Sequence, residues 1–254
     1  MKGLAIEVAQ RTCIGARSRN EDCVAVVSQG DHWCLVLSDG AGGHGEGARA
    51  SQLAVGRVLL GFRSRPPVDG RDLAELLLDA HDTLVASQPE GPPRPATAMY
   101  ATVVVLVIDT AKRMALCGHV GDSRLYQWRA RRLNTVTRDD SALQSLLDTG
   151  LVKLEQVANR GVLLAALGAV EEVEPHVSEF ELQSQDAFLL CTDGWWAGLE
   201  PELISASLAD AAAPQEWLEA MMAHTRKRAD PRQDNYSAIA CWISESLEAA
   251  EAEC

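Results

Sequence analysis

Basic residues are scarce: 23 Lys and Arg stand against 36 Asp and Glu, a formal net charge of −13. Nucleic acid and anionic lipid are held by concentrated basic surfaces, so the balance excludes an electrostatic footprint for either. No apolar run approaches the length of a membrane span. The amino terminus meets a carboxylate at Glu7, too early for a signal-peptide core, and a cytoplasmic location is the expectation. No internal repeat is visible, and no Asp-x-Asp-x-Asp-Gly loop closed by Glu, which removes the calcium-loop proteins. The seven cysteines share no recurring spacing and sit mostly in apolar runs, as in Trp33-Cys34-Leu35 and Leu190-Cys191. They read as reduced core residues rather than disulfides or zinc ligands.

What remains is an ordinary globular composition, 47% hydrophobic and 23% charged over 254 residues. That length suits one domain, residues 1–254, with the acidic stretch 244–254 as a solvated tail. Short runs rich in Val, Ile, Leu, Cys and Trp predict strands over Trp33–Leu37, Tyr100–Ile108, Met114–Cys117, Ala187–Cys191 and Ser237–Ile243. Leu73, Leu76, Leu77, Ala80 and Leu84 fall on one helical face, and Leu218, Met221, Met222 and Thr225 on another. Segments 63–70 and 88–95 carry Gly and Pro signals and predict loops. Strands do not alternate regularly with helices, so a doubly wound parallel sheet is disfavoured. An α+β fold of packed antiparallel sheets with helices outside fits better.

Acidic residues recur where apolar runs end. The run from Trp33 ends in Asp39-Gly40, the run from Ala187 ends in Asp193-Gly194, Met114 to Val120 leads into Gly121-Asp122, and Asp234-Asn235 opens the last strand. One Asp-Gly is an ordinary turn. Four acidic strand ends in comparable settings can instead converge on one cleft, where clustered carboxylates stay ionised only if cations neutralise them. All-oxygen donors select hard ions, magnesium or manganese. Arg17, in Arg17-Ser-Arg-Asn-Glu-Asp22, offers a planar fork matched to two phosphate oxygens, or else a surface ion pair with Glu21 or Asp22.

These motifs, together with Ser38-Asp-Gly-Ala-Gly-Gly-His44, Gly121-Asp-Ser-Arg124, Thr137-Arg-Asp-Asp-Ser141, Ala166-Leu-Gly168 and Cys191-Thr-Asp-Gly194, resemble in order those of the metal-dependent (type 2C) protein phosphatases in their compact bacterial form. The resemblance covers about 9–243. It implies an α-β-β-α sandwich, two packed antiparallel sheets flanked by helices on both outer sides. It implies hydrolysis of phosphoserine or phosphothreonine on proteins by direct attack of a metal-bridging water, with two Mn2+ or Mg2+ ions in the central site and a third, weaker one beside it.

Carried over by residue, Asp39 and the Gly40 carbonyl match the bridging pair, and Asp22, Asp193 and Asp234 the other carboxylates of the binuclear site. Asp122 with Asp193 matches the third position. Arg17 matches the phosphate-binding residue, and Glu21 and Asn235 match residues that orient ligands or waters. His44 stands as a candidate proton donor or as a loop cap, because Ala41 replaces the histidine found in animal members. Asp140 replaces a histidine of the family pattern, and residues 144–160 match the variable flap. Trp195-Trp196 covers the cleft or fills the core. Similar pairs occur in phosphatases linked to type VI secretion that oppose a threonine kinase. A monomer working against such a cognate kinase is the expectation, and a catalytically weak sensing or scaffold module with the same fold is the alternative.

Overall fold

A computed structural model of the chain describes residues 3–42, 46–88, 98–149, 163–169, 172–228 and 230–246. In chain order the elements are β1 (Leu4–Cys13), β2 (Asp22–Gln29), β3 (His32–Gly42), α1 (Glu46–Ser64), α2 (Gly70–Ala86), β4 (Met99–Ala101), β5 (Val103–Asp109), β6 (Met114–Val120), β7 (Arg124–Arg129), β8 (Arg132–Val136), α3 (Ala142–Asp148), β9 (His176–Glu181), β10 (Ala187–Cys191), α4 (Asp193–Trp196), α5 (Pro201–Asp210), α6 (Pro214–Arg228) and β11 (Tyr236–Glu245). One sheet runs β1-β11-β10-β7-β8, the other β2-β3-β5-β6-β9 with β4 paired to β3. Every pairing is antiparallel.

The continuous apolar runs are strands with both faces covered. Side chains alternate across a strand, and in β3 and β5 the two sets feed two cores. Leu35, Leu37, Val104, Leu106 and Ile108 pack between the sheets against Phe188, Leu190, Ile239 and Cys241. Cys34, Val36, Val103, Val105 and Val107 face outward onto Val58 and Phe62 of α1 and Leu73, Leu77 and Ala80 of α2. On the far side Leu189, Ala238 and Ala240 meet Ile204 of α5 and Trp217, Leu218 and Met221 of α6. The helices therefore lie on both outer faces, as expected. Trp128 and Trp217 anchor that last layer edge to face, their rings 5.2 Å apart. The six described cysteines are free thiols.

Several boundaries differ from the expectation: β3 runs past Leu37 through Asp39 and Gly40 to Gly42, and β11 takes in residues 244–245 of the expected tail. The strand over Tyr100–Ile108 breaks at Thr102 into β4 and β5, where the Asp39 N–H goes to the Thr102 hydroxyl and the Thr102 carbonyl accepts from the Ser38 hydroxyl. The run from Met114 continues to Val120. The loop over 63–70 is shorter, since α1 reaches Ser64 and α2 starts at Gly70. Residues 89–95 of the second loop lie outside the described residues, as do 150–160 of the flap and 247–254 of the tail.

Asp69 starts α2: its carboxylate accepts the Asp72 N–H at 2.9 Å, satisfying one of the donors that a helix start leaves open. Asp69→Ala is expected to lower unfolding stability by about 1 kcal/mol. Urea denaturation measures it, and turnover per folded molecule should stay at the wild-type value.

Candidate metal centre

The acidic residues singled out from the sequence meet at one end of the sandwich. Asp22 and Asp39 are register partners across β2 and β3, which places them side by side on one sheet. Asp193 follows β10 and Asp234 precedes β11, two neighbouring strands of the other sheet. Asp122 sits in the turn after β6. Both sheets thus deliver carboxylates to a common mouth.

Close approach of the backbones makes this possible. A Cβ on Gly40 would lie 1.9 Å from the Gly47 carbonyl oxygen, so only glycine lets β3 run under the start of α1. Gly121 has φ +101°, a conformation open to glycine, and a Cβ there would meet Thr102 at 2.7 Å. Thr102 then locks the centre: its hydroxyl accepts the Asp39 N–H at 3.0 Å and shares a 2.7 Å hydrogen bond with Ser123.

Asn235 is the splice on the other side. Its amide donates to the carbonyls of Ile14 and Arg19, both at 2.8 Å, and its Oδ1 accepts the Glu21 N–H at 2.8 Å. Glu21 in turn accepts at its carbonyl from Gly40 N–H and the Ser51 hydroxyl. The segment carrying Arg17 is thereby fixed against β3 and β11. Asn235 makes these bonds with its side chain and Glu21 with its main chain. Arg17 reaches Asp234 Oδ2 at 2.5 Å, so its surface ion pair forms with neither Glu21 nor Asp22. Arg17, Ser18, Arg19, Glu21, Gly42 and Asp234 line a cleft of about 330 Å³.

The electrostatics are those of crowded acids. Protein atoms surround Asp39 closely, although it is only half-buried. Burial first, then Asp22, Asp193, Asp122 and Asp234, hold its carboxyl well above the ordinary range. Burial, with Asp193 and Asp234 nearby, pushes Asp22 up to about 7 against hydrogen bonds from Ser237 and Thr192. Burial and then Asp193 and Asp139 push Asp122 up to about 7. Asp193 is raised by burial and Asp234, held back by a hydrogen bond with Asp39.

The crowded oxygens stand where cations fit. Asp22 Oδ1 and Asp193 Oδ1 are buried and accept no hydrogen bond, a state that is unfavourable for a carboxylate and is relieved by coordination. The donors are all oxygen, the set hard divalent ions prefer. Among the described residues no three His, Cys, Asp or Glu side chains stand around one point at ligand distance.

The tryptophan pair divides its duties. Trp195 is buried against Tyr236, as core filling requires. Trp196 donates its indole N–H to the Asp122 carbonyl at 2.9 Å and carries the Arg124 guanidinium 3.5 Å above its ring. Arg124 forks onto both oxygens of Asp139, each at 2.8 Å. Sequence reasoning passed over Thr102; it named Trp196 and carried Ser123, Arg124 and Asp139 inside motifs without the contacts that join them. His44 lies outside the described residues.

Residues 9–247 match the family described as protein phosphatase 2C. The chain is 31% identical over 209 residues to the serine/threonine protein phosphatase PstP of Mycobacterium tuberculosis, an alignment that takes in 81% of this chain and 39% of that protein. The chain therefore spans about two-fifths of the length of that relative. It is 30% identical over 185 residues to the serine/threonine phosphatase stp of Listeria welshimeri, 70% of this chain and 73% of that one. The crystal structure of the PstP catalytic domain with two manganese ions superposes with a TM-score of 0.82 at 27% identity, over 95% of this chain and all of that one.

Proposed function

The chain belongs to the protein phosphatase 2C family, and from that premise we propose that it is a serine/threonine phosphoprotein phosphatase. Asp22, Asp39, Asp193 and Asp234, with the Gly40 carbonyl, would hold two Mn2+ or Mg2+ ions, and Asp122 with Asp193 a third. The observation that carries this reading is the meeting of acids from both sheets, two of them with buried oxygens that accept nothing. Such a cluster is unfavourable in a scaffold and useful in a cation site, so the catalytically weak alternative gains no support from it.

Bound there, the cations supply an activated water and neutralise charge on the phosphoryl group. The protein's share is orientation. Arg17, with its side chain more than half exposed at the cleft, presents its fork to phosphoryl oxygens, while Asn235 and Glu21 hold the segment that carries it. Thr102 fixes the Asp39 backbone from both directions, so that the acid is preset rather than searching. The proton donor to the leaving oxygen is left to His44 or solvent. A cognate Ser/Thr kinase, a monomeric state, a cytoplasmic setting and a single catalytic unit over 1–254 complete the reading. No described helix is long and apolar enough to cross a membrane. Trp195 and Trp196 have structural work at the site, so they give no support to a secretion partner.

Hydrolysis of a phosphothreonine peptide by the purified chain tests it, in manganese, in magnesium and after chelation. Chelation should abolish turnover and manganese should restore it; turnover that survives chelation unchanged sinks the reading. Arg17→Ala is expected to raise KM about tenfold with a smaller fall in kcat, the pattern of a lost phosphate contact.

A further inference from the structure

Asp140 departs from the family pattern, and its surroundings give the departure a purpose. Its Oδ2 accepts the Gly121 N–H at 2.9 Å, and its Oδ1 lies 2.7 Å from His176 Nε2. The main chain doubles the tie: Asp140 N–H donates to the Gly121 carbonyl at 2.9 Å, and the Asp140 carbonyl accepts from Leu164 N–H at 2.8 Å. The next residue, Ser141, caps α3 and bridges to Leu163. His176 stacks on His119, ring centroids 5.0 Å apart, and His119 Nε2 contacts the Arg138 carbonyl at 2.9 Å. One mostly buried carboxylate thus joins the turn that carries Asp122, the outer strand β9 and the segment around α3.

The turn needs that support. Gly121 lacks a side chain and sits at positive φ, so its own conformation does not fix the direction in which Asp122 points. Trp196 and the Ser123–Thr102 pair hold the turn on its far side, and the two Asp140 bonds close the near side. A ligand's outer partners commonly set metal affinity by one to two orders of magnitude. We propose that Asp140 is a positioning residue for Asp122, which sets the affinity of the cation position served by Asp122 and Asp193 and links it to the conformation of the segment around α3. This rests on Asp122 being a ligand, as argued above.

Titration of the full chain with Mn2+, reading free ion by electron paramagnetic resonance, separates the two ideas. Wild type should show a tight class and a weaker class of sites. Asp122→Ala should lose the weaker class. Asp140→Ala should weaken that class about tenfold and leave the tight class unmoved. Asp140→Asn, which keeps an oxygen for the Gly121 N–H, should recover most of the loss, and His176→Ala should shift the weak class slightly in the same direction. The tight class is the folding control, because a general structural defect would weaken both classes together.

Loss of the weak class in Asp122→Ala but not its weakening in Asp140→Ala overturns the proposal. If Asp140→Ala does not fold, a wild-type isotherm for His176→Ala overturns it instead. If Asp122→Ala itself binds manganese like wild type, the ligand reading fails and the Asp140 role falls with it.

Discussion

Asp39→Asn should lower kcat/KM on a phosphothreonine peptide by about a thousandfold or more while raising the melting temperature of the metal-free protein. The two effects share one cause. Asp39 stands among Asp22, Asp193, Asp122 and Asp234, which together with burial hold its carboxyl far above the usual range. An amide of the same shape removes one negative charge from that crowd and relieves its neighbours. It also removes the anionic oxygens around which cations are to be shared, and a thousandfold loss corresponds to about 4 kcal/mol of transition-state stabilisation. Thr102 holds the residue through its backbone N–H and carbonyl, so the substitution should not move the strand. Stability gained where activity is lost marks a strained functional acid. A melting temperature that falls in Asp39→Asn, with activity retained, would identify the cluster as structural.

The legible parts of the fold were those where burial on both faces turned strands into unbroken apolar runs. β3, β5, β10 and β11 were readable because helices cover one side and the opposite sheet the other. β1, β2, β8 and β9 escaped, since their residues are mostly exposed or half-buried and carry charges such as Glu7, Arg132 and Glu179. α1 escaped because its inner face is partly Gly and Ala, with Gly47, Ala50 and Ala54 allowing close contact in place of a leucine stripe.

At the site, the acids were legible because chemistry fixes their type and the turns fix their neighbours. Thr102 and Trp196 were not, since a threonine or tryptophan in an apolar run reads as packing until its hydrogen bond to the Asp39 or Asp122 backbone is seen. Asp140 was noticed as a departure, but its two partners are 19 and 36 residues away, and no local spacing relates them.

Protons and cations compete for the same oxygens, which makes the stability of the metal-free protein depend on pH in a defined direction. Asp22 and Asp122 titrate near 7 when folded and near 3.8 when unfolded, and Asp39 and Asp193 are shifted the same way. Below about 3.8 both states hold these protons, so the groups do not discriminate between them. As pH rises from there toward 7 the unfolded chain ionises first, and stability falls; above 7 the full penalty is present. His119 works in the opposite sense, because burial holds its pKa below 6.5 and favours the folded state as the pH rises. One histidine against four acids should leave the acids dominant.

In chelator, the melting temperature is therefore expected to be higher at pH 5 than at pH 8, the difference reflecting on the order of a few kcal/mol. Manganese should reverse the order by replacing those protons, giving a large upward shift at pH 8 and a small one at pH 5. Asp39→Asn in chelator should show a flatter profile than wild type, since it carries one acid fewer. Equal manganese shifts at both pH values, or a metal-free protein that is most stable at pH 8, would show that these carboxylates do not share their ions and protons as a single site.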